Sequence, residues 1–468
     1  MQETSYNRID KLKQILYLLL FRLTVDFMYI FILRREYDNI SLLALGYTRN
    51  AFSFHFDPAR IAMSYIMTIV FVVYVVNRIL NKDQPHELLA TSLLCLSLIP
   101  NLTMFAFSDI RWSFFWLLCL FWGLLFFFIK LFTKKEVIQQ SYHKANDIIS
   151  NREKRNAKIV FWIIALVFIV GSAIFSIVYN GGIRFNISFS NDIVYENRLA
   201  ARGTIGLVTN YFRNNAMFVV LPILAISFMA KKKYILFVVS IIVLFLLFTV
   251  DSLKVVFFLT VISIIAALII KNKINTTIIK GLVVLNILVI VIYLLTGNLV
   301  VVDYLVKRVY FLPSIIGRCF FEYVGSYGNQ VFFSSFFKGI GLLSNYAYSD
   351  VQLPFMIGRT YFGSINISAN TGGFGGAYAY GIPAVMIIPA IYAFLFKLLD
   401  KVTYNIEPKY YISFVILNAY VITNASLPSV LIVYGYFIGL VLLYIMNRME
   451  VFEYDNLRLP KFVFNKRK

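Results

Sequence analysis

The chain has 468 residues, of which 60% are hydrophobic, and its mean hydropathy is +0.76. Globular domains are about 45–50% apolar, so this composition excludes an ordinary soluble domain and indicates a membrane protein. The net charge is +21, with Lys and Arg spread over short segments between apolar runs, which argues against a nucleic-acid-binding face and fits contact with anionic lipid.

Apolar runs long enough to cross a bilayer recur along the whole chain, and hydropathy predicts about twelve of them. The expected fold is therefore a single all-α polytopic membrane domain over residues 1–468, with an outer loop at 180–207 and a long helical outer segment at 297–372 between spans 9 and 10. The predicted spans cover 12–33, 58–77, 87–107, 112–132, 159–179, 208–230, 234–250, 254–270, 278–296, 373–396, 410–426 and 429–446.

The distribution of lysine predicts the orientation. The first apolar run follows Lys11 and Lys13, lacks an A-x-A-like cleavage site and is expected to remain as a span. If the N-terminus is cytoplasmic and the spans alternate, the Lys-rich segments, including the C-terminal KFVFNKRK, fall on the cytoplasmic side, as the positive-inside rule requires. Both termini are then cytoplasmic.

The cations predicted to lie on the outer side are mostly arginine. Arginine presents a planar fork of donors that binds phosphate bidentately, whereas lysine suffices for general attraction to lipid. Two outer segments concentrate arginine, residues 180–214 and 297–372, and both are candidates for binding an anionic ligand.

Arg198 and Arg202 lie four residues apart in the first of these segments. They share a face if the segment is helical, and the repulsion between like charges at that spacing favours an anion between them. Two arginines that contact water or lipid headgroups are the alternative. Lys254 lies at the next outer turn, where it faces the same cavity, extends to the headgroups or pairs with Asp251.

The second segment carries Arg308, Arg318 and Arg359. Pro313 is expected to begin a new helix, because proline is tolerated in a first turn. On that helix Arg318 either binds the ligand or pairs with Glu322, four residues later.

Other polar and small residues have structural explanations. Arg22 and Asp26 form either an ion pair within the first span or part of a polar cavity. The outer tyrosines, such as Tyr361, could stack on sugar rings, although tyrosine is common at membrane interfaces in any case. Gly372 and Gly376 form a small-xxx-small pair that close helix packing explains without a ligand.

Several motifs are missing from the sequence. The outer segments contain no DxD pair, and there is no P-loop, no G-x-G-x-x-G and no CxxC. The three histidines lie in separate loops. We therefore expect no metal site and no cofactor, and we expect arginine to neutralise a bound diphosphate.

Four stretches resemble the Wzy-type oligosaccharide repeat-unit polymerases of bacterial surface polysaccharide synthesis. They are VYENR around Arg198, FTVDSLKVVFF around Lys254, KRVYFLPS around Arg308, and ISANTGGFGGAYAYGIPAVMIIP at 367–389. The last is the most specific, since it is similar to the family's Ser-Ala-Asn-Thr-Gly stretch leading into a span. The chain departs from the family pattern at Asp251, where glycine is expected, at Gly376, where an acid is expected, and at Tyr380.

The resemblance implies a multi-pass glycosyltransferase of GT-C type in the bacterial cytoplasmic (inner) membrane. Its donor would be a glycan on undecaprenyl diphosphate, its acceptor a lipid-linked repeat unit, and its further partners membrane lipids and a chain-length regulator. Arg198, Arg308 and Lys254 are the expected catalytic residues. The expected substrate-binding residues are Arg202, Arg318, Arg359, Tyr361 and Asn370.

Two other functions remain open from the sequence. An O-antigen ligase would use the same donor but transfer the glycan to lipid A core. A lipid-linked oligosaccharide flippase would carry charges along a central path through many spans, whereas the arginines of this chain cluster on one predicted side.

Overall fold

The structure, a computed structural model, describes residues 7–37, 41–44, 47–133, 150–180, 182, 206–251, 254–270, 273–330, 351–364, 367–404 and 406–449. Only the backbone is described for 41–44, 47–50, 180, 207, 251 and 254–256.

Helices make up nearly all of the described chain. In order they are α1 (Arg8–Glu36), α2 (Pro58–Ile79), α3 (Pro85–Phe107), α4 (Trp112–Thr133), α5 (Asn151–Tyr179), α6 (Val208–Ala230), α7 (Tyr234–Asp251), α8 (Lys254–Ile269), α9 (Ile274–Thr296), α10 (Val302–Phe311 continuing as Leu312–Tyr327), α11 (Leu353–Phe362), α12 (Gly373–Tyr378), α13 (Ile382–Thr403), α14 (Pro408–Asn424) and α15 (Tyr436–Arg448). A small antiparallel hairpin of β1 (Ser41–Ala44) and β2 (Tyr47–Asn50) lies between α1 and α2.

Eight of the described helices are long and apolar enough to cross a membrane, namely α1–α6, α9 and α13. Three shorter apolar helices, Tyr234–Val250, Phe257–Ile269 and Tyr436–Arg448, coincide with further predicted spans. The helical membrane architecture expected from hydropathy is thus confirmed.

Two predicted span boundaries are wrong because a glycine breaks the helix. The predicted span at 373–396 divides into α12 and α13 at Gly381, whose φ is +89°. The predicted span at 429–446 divides at Gly435, with φ +78°, into a π-helical turn at Ser429–Val433 and α15. Residues with side chains rarely adopt positive φ, whereas glycine does so readily.

Three of the prolines within long helices follow wide π-helical turns. Pro100, Pro222 and Pro313 each stand second in an α-helical stretch that directly follows such a turn. The turns are Leu94–Leu98, Ala216–Val220 and Val302–Phe311. A proline ring clashes with the carbonyl four residues before it, and i→i+5 spacing relieves that clash without ending the helix. Pro313 therefore begins an α-helical stretch within α10 rather than the separate helix predicted from the sequence.

The first half of α10 packs against the middle of the bundle. The Tyr310 hydroxyl donates to Asn286 Oδ1 on α9 at 3.0 Å, and its ring meets Phe21 of α1 edge-on with centroids 5.7 Å apart. Part of the segment predicted to lie outside thus inserts between the apolar helices.

The start of α12 also lies deep in the bundle. A Cβ atom at Gly373 would lie 3.7 Å from Ser97 Oγ on α3 and from Trp122 Cζ2 on α4. Trp122 follows the first residue of α4 by ten positions, which is about 15 Å at the rise of an α-helix. The chain at the start of α12 therefore reaches into the bundle before α13 begins.

A buried polar network ties α1 to α2 and α3. Arg22, which is fully buried, pairs with Asp26 at 2.8 Å and donates to Ser64 Oγ at 2.9 Å. Asp26 also accepts hydrogen bonds from the hydroxyls of Tyr65 and Thr103 at 2.6 Å each. The ion pair is the structural alternative considered for these residues, and the structure supports it.

A second buried network joins the N-terminal end of α3 to the C-terminal end of α13. His86 Nδ1 lies 2.6 Å from Asp400 Oδ2, and the backbone N–H of His86 donates to Asp400 Oδ1 at 3.0 Å. Glu87 accepts hydrogen bonds from the backbone N–H groups of Asn81 and Lys82 at 2.8 and 3.0 Å. These contacts hold the turn between α2 and α3 against the end of α13, on the side predicted to be cytoplasmic.

Candidate functional site

Three of the predicted site residues cannot be placed with their side chains. Arg198 and Arg202 lie outside the described residues. Lys254 begins α8, but its side chain is not among those described. The remaining predicted residues lie on α10, on α11 and in the non-helical stretch 367–372 that leads into α12, and these segments form the candidate site.

Arg318 forms part of the scaffold of the site. Its Nε pairs with Glu322 Oε1 at 3.0 Å, and its Nη2 donates to the backbone carbonyl of Asp109 at 3.0 Å. Its residue surface is only 6% exposed. These contacts tie α10 to the turn between α3 and α4, and the ion-pair alternative explains this arginine better than phosphate binding does.

Arg60 holds the same turn from another direction. Its guanidinium donates to the carbonyls of Ser108 and Ile110 at 3.0 and 2.7 Å and pairs with Asp109 at 3.1 Å. The excess of outer arginine in the sequence thus has a partly structural cause, because a planar fork of donors can satisfy several carbonyls at a buried turn.

Arg308 differs from both of these arginines. It lies half-buried on α10 and makes no hydrogen bond or ion pair within the described part of the chain. The neighbouring Lys307 is already engaged, with its Nζ 2.9 Å from Asp303 and 3.9 Å from the ring centre of Tyr37. A partly buried cation without a protein counter-charge provides a favourable place for an anion.

Arg359 and Tyr361 lie on different sides of α11. Arg359 is exposed, whereas Tyr361 is only 1% exposed. Residues two apart on a helix do not share a face, so these two side chains do not contact one ligand group together. Asn370 is exposed, and its side-chain amide donates a hydrogen bond to Ser368 Oγ at 3.1 Å. Asn370 therefore lies at the protein surface.

The SANTGG motif, residues 368–373, lies between three helices and forms backbone and side-chain hydrogen bonds with them. The Thr371 hydroxyl donates to the carbonyl of Pro313 on α10 at 3.3 Å, and the Gly372 N–H donates to that of Thr423 on α14 at 3.0 Å. The Ala369 N–H donates to the carbonyl of Pro354 on α11 at 3.0 Å. The motif therefore fixes α10, α11 and α14 relative to one another.

The glycines of this motif allow backbones to approach closely. A Cβ at Gly375 would lie 2.7 Å from Gly317 Cα on α10, and a Cβ at Gly372 would lie 2.1 Å from the carbonyl oxygen of Ile422. A Cβ at Gly376 would lie 3.0 Å from the Thr371 carbonyl, so an acidic residue would be crowded there. The close packing predicted for Gly372 and Gly376 is confirmed, but Gly317 was not identified from the sequence.

Side chains of α10 lie close enough to Tyr361 of α11 to interact with it electrostatically. Burial raises the pKa of Tyr361, and Cys319, Glu322, Tyr327 and Tyr323 raise it further, so the phenol remains protonated and can donate. Tyr323 and Tyr327 lie four residues apart on α10, with ring centres 4.6 Å apart. This pair was not identified from the sequence, although its i,i+4 spacing is a signal of a shared helix face.

Among the described residues, no group of three or more His, Cys, Asp or Glu side chains is arranged to hold a metal ion. Comparison with protein-family models, with curated proteins and with solved structures finds no match for this chain. A functional proposal therefore depends on the residues themselves and on the motif resemblance.

Proposed function

We propose that this protein is a glycosyltransferase of the outer face of the bacterial cytoplasmic membrane. It polymerises oligosaccharide repeat units carried on undecaprenyl diphosphate into a surface polysaccharide. The single observation that carries the proposal is Arg308, a half-buried guanidinium without a described protein partner, next to a lysine that has one.

The proposed reaction needs a cation beside the diphosphate of the donor. The acceptor hydroxyl oxygen bonds to the anomeric carbon of the donor sugar, the bond from that carbon to the phosphate oxygen breaks, and the hydroxyl proton passes to a base. Undecaprenyl diphosphate departs with the bonding electron pair. A fixed guanidinium stabilises the charge that develops on the phosphate, and it does so more strongly where water is partly excluded.

Arg198, in the segment before α6, and Lys254, at the start of α8, are proposed to contribute further positive charge. Both belong to stretches that resemble the same family as the stretch around Arg308. The apolar sides of the surrounding helices would hold the polyprenyl chain, as expected for a lipid-linked substrate.

The test replaces Arg308 with alanine and, separately, with lysine. Removal of one donor that stabilises a developing anion typically lowers turnover by about 10²–10³-fold, so Arg308→Ala should leave single-repeat glycolipid and no ladder of long chains. Arg308→Lys retains the charge without the bidentate fork and should give an intermediate result. Arg198→Ala should behave like Arg308→Ala.

Lys307→Met is the matched control. It removes a cation from the adjacent position, one already paired with Asp303. This variant should keep its ladder. Long chains from Arg308→Ala, at wild-type protein levels in the membrane, would contradict the proposal.

A purified reaction separates polymerase from ligase. Protein supplied with two lipid-linked repeat units and no lipid A core should form a dimeric glycan on one lipid. Product that appears only after lipid A core is added would assign the chain to the ligases.

A further inference from the structure

Among the described residues, the Tyr361 hydroxyl is a buried polar group without a hydrogen-bond partner. The residue is 1% exposed, and its Oη makes no hydrogen bond with another described residue. A buried hydroxyl that leaves water without gaining a partner destabilises the folded state. A phenylalanine would fill nearly the same space without that disadvantage, so packing alone does not explain a tyrosine here.

The helix α10 contacts α11, which carries Tyr361, and has side chains of the kinds that bind carbohydrate. Glu322 is oriented by the Arg318 guanidinium at 3.0 Å, and its carboxylate can accept hydrogen bonds from sugar hydroxyls. Tyr323 is buried and Tyr327 is 54% exposed, so the pair presents aromatic surface towards the outside. The negative face of an aromatic ring favours the weakly positive C–H groups of a sugar.

The cluster is held by rigid elements. Arg318 ties this part of α10 to the turn before α4, and Gly317 contacts α12 one residue earlier in the chain. The Gln330 N–H, just beyond α10, donates to the Ala379 carbonyl at 2.7 Å, next to the break between α12 and α13. Side chains fixed in this way lose little entropy when a ligand binds.

We propose that Tyr361 and Glu322, with the rings of Tyr323 and Tyr327, form a subsite for an uncharged sugar of the acceptor glycan. The phenol donates to one sugar oxygen and the carboxylate accepts from a hydroxyl. This inference rests on the proposed function for the identity of its ligand, but sugar binding can be measured without any polymerisation.

The decisive variant is Tyr361→Phe, because it separates a ligand-binding hydroxyl from a structural one. Without ligand, the variant should unfold at a higher temperature than wild type, since it lacks the unpaired buried hydroxyl. Tyr310→Phe is the matched control on α10. Its hydroxyl has a partner in Asn286, so its removal should lower the unfolding temperature.

Binding is measured by saturation-transfer NMR on the full chain in lipid nanodiscs. The probes are the methyl glycosides of glucose, galactose, rhamnose and N-acetylglucosamine. At least one should bind wild type, and its affinity should fall about five- to tenfold in Tyr361→Phe, as expected for one lost hydrogen bond. Glu322→Gln should weaken the same sugar, and Tyr310→Phe should not.

Three results would overturn the subsite: no probe binds wild type, Tyr361→Phe binds as wild type does, or Tyr361→Phe is destabilised as Tyr310→Phe is. Arg308→Ala distinguishes this proposal from the polymerase proposal. Unchanged sugar binding together with normal polymer in that variant would refute the proposed role of Arg308 in polymerisation but would still support the sugar subsite.

Discussion

The contact between Gly317 and Gly375 predicts a specific cost for adding a single methyl group. In Gly375→Ala the new Cβ would lie 2.7 Å from Gly317 Cα and 3.0 Å from the Thr371 side chain. Carbon atoms pack at about 3.5–4.0 Å, so α10 and α12 would have to separate by about 0.8 Å at this point. The neighbour is backbone rather than a flexible side chain, so the strain cannot be relieved by a rotamer change.

Overpacking of this kind costs about 1–3 kcal/mol of folding free energy. The displacement would also act on catalysis, because a shift near 1 Å in positioned groups can lower a rate by about 10²-fold. We therefore expect Gly375→Ala to shorten the polymer ladder by more than its loss of folded protein explains.

Gly281→Ala provides the matched control. Gly281 lies inside α9, and a Cβ there would meet nothing within 4 Å. Alanine is favoured over glycine in a helix by about 0.5–1 kcal/mol, so this variant should be as stable as wild type or more stable. Both variants are compared by thermal unfolding in one detergent, followed through tryptophan fluorescence, and by the glycan ladder in cells. An unfolding temperature for Gly375→Ala at or above that of Gly281→Ala would refute the close-packing argument.

Two further predictions concern the buried ion pair between Arg22 and Asp26 and the expected independence of the reaction from metal ions. Arg22→Met leaves Asp26 as a buried charge without its arginine, which should lower the free energy of unfolding by about 3–5 kcal/mol, whereas Arg22→Met combined with Asp26→Leu should recover much of that loss. Thermal unfolding measures both variants, and Arg35→Met, at a side chain that is 80% exposed, is the control. A double variant less stable than Arg22→Met alone would contradict the reasoning. EDTA should leave polymerisation by the purified protein unchanged, since the outer segments lack a DxD pair, and loss of activity that a divalent ion restores would show that metal is required.

Several structural features could be predicted from residue patterns alone. Apolar runs near the thickness of a bilayer identified the helices, because backbone groups in hydrocarbon must form their hydrogen bonds within the helix. The i,i+4 spacing identified the pairs Arg22–Asp26 and Arg318–Glu322, since side chains at that spacing meet on one helix face. The small-xxx-small spacing of Gly372 and Gly376 likewise indicated close helix packing.

Other features depend on contacts between residues far apart in the chain. Hydropathy does not show that Gly381 and Gly435 break two predicted spans, because backbone dihedral angles at a glycine depend on its surroundings. Hydropathy also does not show which of the outer arginines form hydrogen bonds or ion pairs within the protein. Arg308 and Arg318 are ten residues apart on α10, yet only Arg318 meets a carbonyl from the turn before α4.

The amino-acid sequence by itself determined that the chain is a helical membrane protein, because helix formation and burial in lipid follow from local composition and periodicity. Only the tertiary structure decided that Arg318 and Arg60 support a turn. It also decided that Arg308 and the buried Tyr361 hydroxyl lack partners among the described residues. The physical reason is that the partners of a polar group are chosen by packing between distant segments, and packing is a property of the assembled bundle rather than of any one stretch.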